Sequence, residues 1–226
     1  MKQIFLSAQK TLSVTLNILL SPCCPVCRDQ IAYSEGICSD CFKKIPPASS
    51  PIKTHDNYTS IIWSCVPYEG TIRKCLHELK YRANYQMNLT FFEILRRLPV
   101  KKMFIESQAN IIIPVPMHRD RYKERGFNQT ILFSKFLSTL SGIHLGQECL
   151  TRIHPSRPQT GLSRPERINN ITKNIFSVPY PDRVKNKNIV LVDDILTTGT
   201  TLKSCAEVLL DSGARSVYGF TIAKTM

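Results

Sequence analysis

The chain has 226 residues, enough for one sizeable domain and a small appendage. Hydrophobic residues make up 42% and charged residues 21% of the chain, which is the composition of a soluble globular protein and not of a disordered one. The formal net charge is +13, with 30 Lys and Arg against 17 Asp and Glu. This excess predicts a polyanionic partner, namely nucleic acid, a phosphorylated ligand or an anionic membrane. A generally basic solvated surface is the alternative.

The first segment, residues 1–21, has the apolar spacing of an amphipathic helix, although Lys10 and several polar residues interrupt it. That interruption argues against a signal peptide, which needs an unbroken apolar centre and a small-residue cleavage site. The stretch is also too short and too polar to span a bilayer as a helix. We therefore predict a cytoplasmic protein whose first helix docks on its own core, with binding to a membrane surface as the alternative. The apolar residues of this helix are Phe5, Ala8, Leu12, Leu16 and Leu19.

Five of the nine cysteines lie between Cys23 and Cys41, and four of them form two CxxC pairs separated by ten residues. Each CxxC turn directs two thiolates to one point, so two turns can complete a tetrahedral four-sulfur site. Soft thiolates fit structural Zn²⁺ best, with an iron–sulfur cluster as the second choice. Four reduced buried cysteines, or a redox pair, are the alternatives, and Cys23 could compete with its neighbour as a ligand. The predicted metal ligands are Cys24, Cys27, Cys38 and Cys41.

A Pro- and Ser-rich stretch at residues 43–51 indicates a linker. We therefore predict two domains, residues 1–50 with the metal module and residues 51–226. In the second domain, predicted strands and helices alternate, which indicates an α/β fold with a parallel sheet flanked by helices. Residues 146–185 are predicted to form a long loop or a hairpin. The predicted strands are 58–66, 111–115, 188–192 and 216–222, and the predicted helices are 70–82, 85–98, 127–140 and 200–210.

Two segments of this domain concentrate basic residues. In residues 114–129, four basic residues are predicted to crowd a turn between a strand and a helix, namely Arg119, Arg121, Lys123 and Arg125. Guanidinium groups bind phosphate with two hydrogen bonds, so this turn suits a phosphate or pyrophosphate. A solvated turn with surface ion pairs is the alternative. Residues 151–176 are basic and rich in turn residues, as in a mobile loop that covers a substrate. Their arginines are Arg152, Arg157, Arg164 and Arg167.

A further basic group, Lys80 and Arg82, flanks Tyr81 at the end of a predicted helix, and Tyr85 follows closely. Tyrosines beside cations can stack on bases, as they do in proteins that bind single strands. The favoured interpretation is nevertheless that both tyrosines are half-buried in the fold.

The segment VLVDDILTTGTTL, residues 190–202, carries the most specific signal. A short apolar run predicts a buried parallel strand that places Asp193 and Asp194 at its carboxyl end, where open α/β sheets bind ligands. The hydroxyl-rich turn that follows precedes a helix, and a helix N-terminus is a ready anion site. Carboxylates beside a phosphate cradle describe a ribose 5-phosphate site, whereas a capped helix without ligand is the alternative. The turn consists of Thr197, Thr198, Gly199, Thr200 and Thr201.

This segment resembles the phosphoribosyl pyrophosphate (PRPP) loop of type I phosphoribosyltransferases. The resemblance implies that Asp193 and Asp194 hold the 2′ and 3′ hydroxyls of the ribose, with Mg²⁺ nearby. It also implies that the residues from Thr197 to Thr201 hold the 5′-phosphate. Catalysis in such enzymes comes mainly from positioning and charge stabilisation, so the absence of a nucleophilic triad does not count against it.

Together the motifs resemble the ComF family of competence proteins, which joins a four-cysteine zinc module to a phosphoribosyltransferase-like domain. The shared motifs are Lys80-Tyr81, P-V-P…R-G-F-N-Q at 114–129, Q-T-G-L at 159–162 with Arg167 and Asn170, and the PRPP loop. Ser156 stands where the family usually has Thr, which keeps the hydroxyl.

The resemblance implies a PRPP-binding competence protein that helps single-stranded DNA cross the inner membrane in natural transformation, with inner-membrane uptake proteins as further partners. Whether it catalyses transfer, and to which acceptor, stays open. The alternative is a metabolic phosphoribosyltransferase with a small nucleobase-like acceptor. The predicted DNA face comprises Lys80, Arg82, Arg119, Arg121, Arg125 and Arg157, and Arg167 is a further candidate for DNA or pyrophosphate.

Overall fold

The computed structural model describes residues 22–32, 34–46, 58–82, 84–153 and 175–225. The predicted N-terminal helix and the centre of the basic segment 151–176, with Arg157 and Arg167, lie outside the described residues. The chain divides into two units, one comprising Met1–Pro46 and Glu69–Glu93, the other Pro47–Tyr68 and Ile94–Met226. Residues 69–93 thus group with the cysteine-rich segment, although the first strand of the sheet separates the two in sequence.

Strands and helices alternate along much of the described chain. No helix of this part is long and apolar enough to cross a membrane. In chain order the elements are α1 Ser39–Lys43, β1 Ile62–Pro67, α2 Gly70–Arg82, α3 Met87–Arg96, α4 Val100–Glu106, β2 Ile111–Pro114, α5 Arg119–Arg125, α6 Gln129–Ser141, β3 His144–Leu145, β4 Thr151–Arg152, β5 Phe176–Ser177, α7 Pro181–Val184, β6 Asn188–Leu196, α8 Thr200–Asp211 and β7 Ser216–Lys224.

The second unit is built on a five-stranded sheet with the order β1-β7-β6-β2-β3. All four pairings are parallel, which confirms the predicted parallel sheet. The central strands are buried runs of Ile, Val and Leu, as expected where helices cover both faces of a sheet. Outside this sheet, β4 and β5 form a short antiparallel pair within the region predicted as a loop or hairpin, and most of the residues between them lie outside the described part of the chain.

The two faces of β6 pack against different helices. Ile189 and Leu191 belong to one buried cluster with Leu202, Cys205 and Leu209 of α8. On the other face, α6 contacts β2 and β6. Each fully buried leucine or isoleucine contributes about 1.5–3 kcal/mol relative to an exposed side chain. Residues of β6 therefore alternate between a face covered by α8 and a face covered by α6.

Strand β6 runs four residues further than the predicted end at residue 192. It continues because β7 stays paired with it to the register Leu196↔Lys224. On its other side, β2 ends at Pro114, opposite Val192. Asp193 and Asp194 therefore lie inside a strand, at the point where one of its two neighbours has ended.

The predicted basic turn between residues 119 and 125 is instead a short helix, α5. His118 caps its start by accepting from the backbone N–H of Asp120, and Gly126 ends it in a left-handed conformation with φ 75°. Asn128 then caps α6, so that helix begins two residues later than predicted. These are ordinary helix-boundary signals, and they divide one predicted turn and helix into two helices.

In the first unit, the cysteine-rich segment packs against the start of α3. The side-chain amide of Gln86 donates to the backbone oxygen of Glu35 at 2.5 Å. Gly36 lies so close to this helix that a β-carbon would stand 2.9 Å from the backbone oxygen of Gln86 and would collide with Thr90. A larger residue at position 36 would therefore force the cysteine-rich segment away from α3.

Candidate metal centre and ligand-binding site

The four predicted metal ligands converge in the first unit. The sulfur atoms of Cys24, Cys27, Cys38 and Cys41 all lie within 4.8 Å of one another, so this cluster could hold a metal ion. Cys27 Sγ and Cys38 Sγ are 3.5 Å apart. A tetrahedral Zn–S₄ site with bonds of about 2.3 Å places neighbouring sulfurs about 3.8 Å apart. The donor set and its spacing therefore fit a structural metal.

The turns of the two CxxC pairs also favour the thiolate form of one ligand. Burial raises the pKa of the Cys24 thiol, but backbone N–H donors of Cys38, Cys27 and Val26 outweigh that effect and bring the pKa to about 7. The backbone N–H of Cys41 likewise points to Cys38 Sγ at 3.4 Å. Cys23, the possible competitor, is exposed and belongs to a β-bridge with Gln30. The cluster of four does not include it.

In the second unit, β6, the following loop and the start of α8 assemble the predicted ribose-phosphate site. Gly199 has φ 77° and precedes the first residue of the helix, so it adopts the left-handed conformation that side chains disfavour. Thr198 Oγ1 and Thr200 Oγ1 are 2.9 Å apart. No acidic residue lies in the first turn of α8. The loop therefore presents hydroxyl groups and helix N–H groups without a competing carboxylate.

The two acids of this motif point to opposite faces of β6, as neighbouring residues in a strand do. Asp194 is buried and accepts a hydrogen bond from Gln129 Nε2 of α6. Asp193 is half-buried and faces α8. On that helix, burial raises the pKa of the Cys205 thiol, and the negative charge of the nearby Asp193 raises this pKa further. Asp193 also accepts from the backbone N–H of Asp194 at 2.8 Å.

The residues of the R-G-F-N-Q motif explain how α6 is held against β2 and β6. Asn128 Nδ2 and Thr130 Oγ1 both donate to the backbone oxygen of Val115, at 3.2 and 2.9 Å. Gln129, the next residue after Asn128, reaches Asp194. Gln129, for which the sequence motif predicted no role as a ligand, therefore supports the candidate ligand Asp194.

A cleft of about 250 Å³ opens beside α5. It combines two arginines, Arg119 and Arg152, with neutral polar and apolar groups, and none of its lining residues is acidic. Burial lowers the pKa of Arg152, and the positive charge of Arg121 nearby lowers it further. Arg152 also lies over the ring of Phe176, 5.5 Å from its centre. Other lining residues are Pro114, Pro116, Met117, Tyr122, Asn128, Ile131 and Gln147.

Of the predicted basic ligands, the structure thus brings Arg119 and Arg121 near Arg152. None of these three makes an ion pair within the part of the chain that the structure describes. Arg125, also on α5, is half-buried. Lys80 and Arg82 lie on α2 and belong to the first unit. Arg82 forms an ion pair with Glu78 at 3.1 Å.

Comparison with known proteins gives one matching domain and several relatives that align over most of the chain. Residues 157–224 match the family described as the phosphoribosyl transferase domain. The chain is 29% identical over 205 residues to the DNA utilization protein YhgH of Shigella flexneri, covering 90% of this chain and 84% of that protein. It is 27% identical over 210 residues to Competence protein F of Haemophilus influenzae, covering 90% and 85%.

Competence protein ComFC of Bacillus subtilis is 27% identical over 211 residues, covering 89% of this chain and 78% of that protein. Among solved structures, adenine phosphoribosyltransferase from Saccharomyces cerevisiae aligns with a TM-score of 0.43 at 13% identity, covering 84% of this chain and 90% of that one. The predicted resemblance to the competence family is therefore confirmed by its relatives, and the phosphoribosyltransferase fold class by the domain match and the parallel sheet.

Proposed function

We propose that this chain, a homologue of the ComF-type competence proteins, is a zinc-containing protein that binds PRPP and acts on single-stranded DNA in the cytoplasm. The observation that carries the PRPP part is the loop of Thr197 to Thr201 between β6 and α8. This loop combines a left-handed glycine, exposed threonines and a helix N-terminus without acids. Such a terminus stabilises an anion by roughly 0.3–2 kcal/mol through its dipole, in addition to the hydrogen bonds.

The carboxylates beside the loop supply the complementary part of a sugar phosphate site. Asp193 is half-buried, and its oxygens can accept hydrogen bonds from ribose hydroxyls. Carboxylate oxygens also fit Mg²⁺, which would neutralise the pyrophosphate charge.

We propose that the cleft beside α5 binds a second phosphorylated group. Arg119, Arg121 and Arg152 bring three positive charges together without an ion pair among the described residues. An anion would relieve their mutual repulsion, and arginine binds phosphate oxygens with two hydrogen bonds. We propose that this group takes pyrophosphate or the phosphates of DNA.

The proposed role of the cysteine cluster is structural. Four thiolates leave no coordination position for a substrate, and thiolate sets of this kind favour Zn²⁺. The proposed DNA role is supported by the net charge of +13 and by the names of the relatives, one a DNA utilization protein and two competence proteins. We extend that role to this chain as a proposal.

Calorimetric titration with PRPP and Mg²⁺ tests the proposal directly. We expect wild type to bind and the Asp193→Asn, Asp194→Asn double variant to bind much more weakly. Each lost charge-assisted hydrogen bond should cost about 1.5–3 kcal/mol. Asp211→Asn, the same change at the far end of α8, is the matched control and should bind as wild type does. Equal affinity of the double variant and wild type would contradict the assignment.

The DNA part is tested separately, by measuring the affinity for a single-stranded oligonucleotide at several salt concentrations. Phosphate contacts should give a log–log slope of about −0.7 for each contact. PRPP binding without DNA binding at physiological salt would favour the metabolic phosphoribosyltransferase instead.

A further inference from the structure

Helix α2 has one buried face and one face that carries aromatic rings and cations. Its buried residues are Thr71, Ile72, Cys75, Leu76 and Leu79. The residues between them, Arg73, Lys74, His77 and Tyr81, are exposed. Because these four recur at spacings of three and four residues, they form one stripe along the helix. Lys80 and Arg82 add two further cations near the end of the helix.

The tyrosines at the end of α2 and just beyond it are more exposed than their size would lead one to expect. Tyr81 is 66% exposed and Tyr85 53%, so the half-buried position we predicted for both is wrong. Of the seven large hydrophobic side chains exposed in the described part of the chain, three fall within residues 81–89. Single exposed apolar side chains are ordinary, but a cluster of them marks an interaction surface. The third member of the cluster is Leu89.

The rings also associate with one another. The centres of the His77 and Tyr81 rings are 4.8 Å apart, with their planes tilted by 41°. Their positions, four residues apart, place them one above the other on the helix surface. Two neighbouring rings thus lie together at the end of α2, and Tyr81 keeps two thirds of its surface accessible.

The charge around these rings is strongly positive. Helix α2 carries four cations, Arg73, Lys74, Lys80 and Arg82, and one acid, Glu78, so its formal charge is +3. The side chain of Glu78 is only 13% exposed and pairs with Arg82. A partner that approaches the stripe therefore meets aromatic faces surrounded by cations.

We propose that the exposed stripe of α2, with His77 and Tyr81 as its aromatic members, binds single-stranded DNA by base stacking, together with Tyr85 just beyond the end of the helix. The unstacked bases of a single strand can lie on the rings while their phosphates contact the flanking cations. Duplex DNA cannot use these rings, because its bases are already stacked and paired. This inference rests on the proposed function, namely that the chain binds single-stranded DNA. It adds that the contacts to the bases are made by the stripe of α2.

The first test measures the affinity of the full chain for a fluorescently labelled oligo(dT). Tyr81→Ala should weaken binding by roughly 5- to 150-fold, the range expected for loss of one base–aromatic stack. The log–log salt slope should not change, because no phosphate contact is removed. Tyr81→Phe keeps the ring and should bind as wild type. Tyr180→Ala is the matched control, since Tyr180 is 50% exposed and lies beneath Arg183 in the second unit.

The second test uses the single tryptophan of the chain. Trp63 is only 5% exposed and should be insensitive to DNA. Tyr81→Trp places a second tryptophan in the stripe, and oligo(dT) should quench its fluorescence on binding. Heparin, a polyanion without bases, should compete for the cations without quenching.

The outcomes separate the proposed DNA binding from the proposed stacking surface. Wild type that binds no single-stranded DNA would contradict the proposed function, and this inference with it. Wild-type binding that Tyr81→Ala leaves unchanged, with no quenching in Tyr81→Trp, would overturn the stacking surface alone. Equal loss of oligo(dT) and duplex binding in Tyr81→Ala would also overturn it, since stacking concerns only the single strand.

Discussion

The two units of the chain differ in how much buried apolar structure surrounds their candidate sites. Among residues 22–32 and 34–46 of the first unit, Ile31 and Ile37 are the only buried aliphatic side chains, and four thiols converge instead. In the second unit, the acids lie on a sheet whose central strands are almost entirely buried, and the threonines follow directly after one of these strands. The cysteine-rich segment itself buries too little apolar surface to fold through burial alone, so the first site should depend on its ion more than the second does.

The largest expected effect is on the metal centre. Cys38→Ser removes one of four thiolates, and structural zinc sites of this kind contribute roughly 10–16 kcal/mol of apparent binding free energy at neutral pH. We therefore expect loss of the metal and local unfolding of residues 22–46, measured by metal analysis and by amide hydrogen exchange.

Cys23→Ser is the matched control for this experiment, because Cys23 is exposed and outside the cluster. It should retain one Zn²⁺ per chain. The emission of Trp63, which reports on the second unit, should not change in Cys38→Ser. A simultaneous loss of the native Trp63 signal would show that the two units unfold together, and less than half an equivalent of zinc in wild type, with no iron, would contradict the metal assignment.

A smaller but complementary effect is expected from the core of the second unit. Phe220 of β7 is fully buried and meets the ring of Phe104 edge-on, 6.0 Å between centres. Phe220→Ala should lower the free energy of unfolding by about 3–5 kcal/mol. Denaturation followed by Trp63 emission should show this loss, while the zinc content stays at the wild-type value. Release of zinc at denaturant concentrations that leave the Trp63 emission unchanged would show that the metal centre is lost before the sheet unfolds.

The same contrast explains how much of the molecule could be predicted from sequence. Both CxxC pairs are local patterns, and the cluster they predict is formed. The apolar runs of β2 and β6 likewise predicted a parallel sheet. The end of β6 was missed because Asp193 and Asp194 look like the end of a strand, whereas pairing with β7 keeps them inside it. That partner is more than twenty residues away in sequence.

Contacts between distant segments account for the other differences between the predictions from sequence and the structure. Gln129 supports Asp194 across 65 residues, and Arg152 lies near Arg121. Neither contact leaves a local signal that single-sequence patterns can detect. The exposure of Tyr81 and Tyr85 was also missed, since a tyrosine near a helix end is compatible with a half-buried or an exposed position until its neighbours are known. The helix α5, by contrast, could have been predicted from Asp120 in its first turn and Gly126 at its end.

The smallest expected effect concerns the basic cleft and decides which anion it serves. Arg119→Glu with Arg121→Glu reverses two exposed charges and leaves the half-buried Arg125 in place. If both arginines contact DNA phosphates, the log–log salt slope for oligo(dT) should decrease in magnitude by about 1.4, and affinity should fall for every sequence alike. Lys101→Glu with Lys102→Glu, a reversal of two exposed charges on α4, is the matched control. Loss of PRPP affinity with an unchanged DNA slope would instead assign the cleft to pyrophosphate and leave DNA binding to the stripe on α2. If both sites contact the strand, the effects of the cleft variant and of Tyr81→Ala on the free energy of DNA binding should add, because the two sites share no residues.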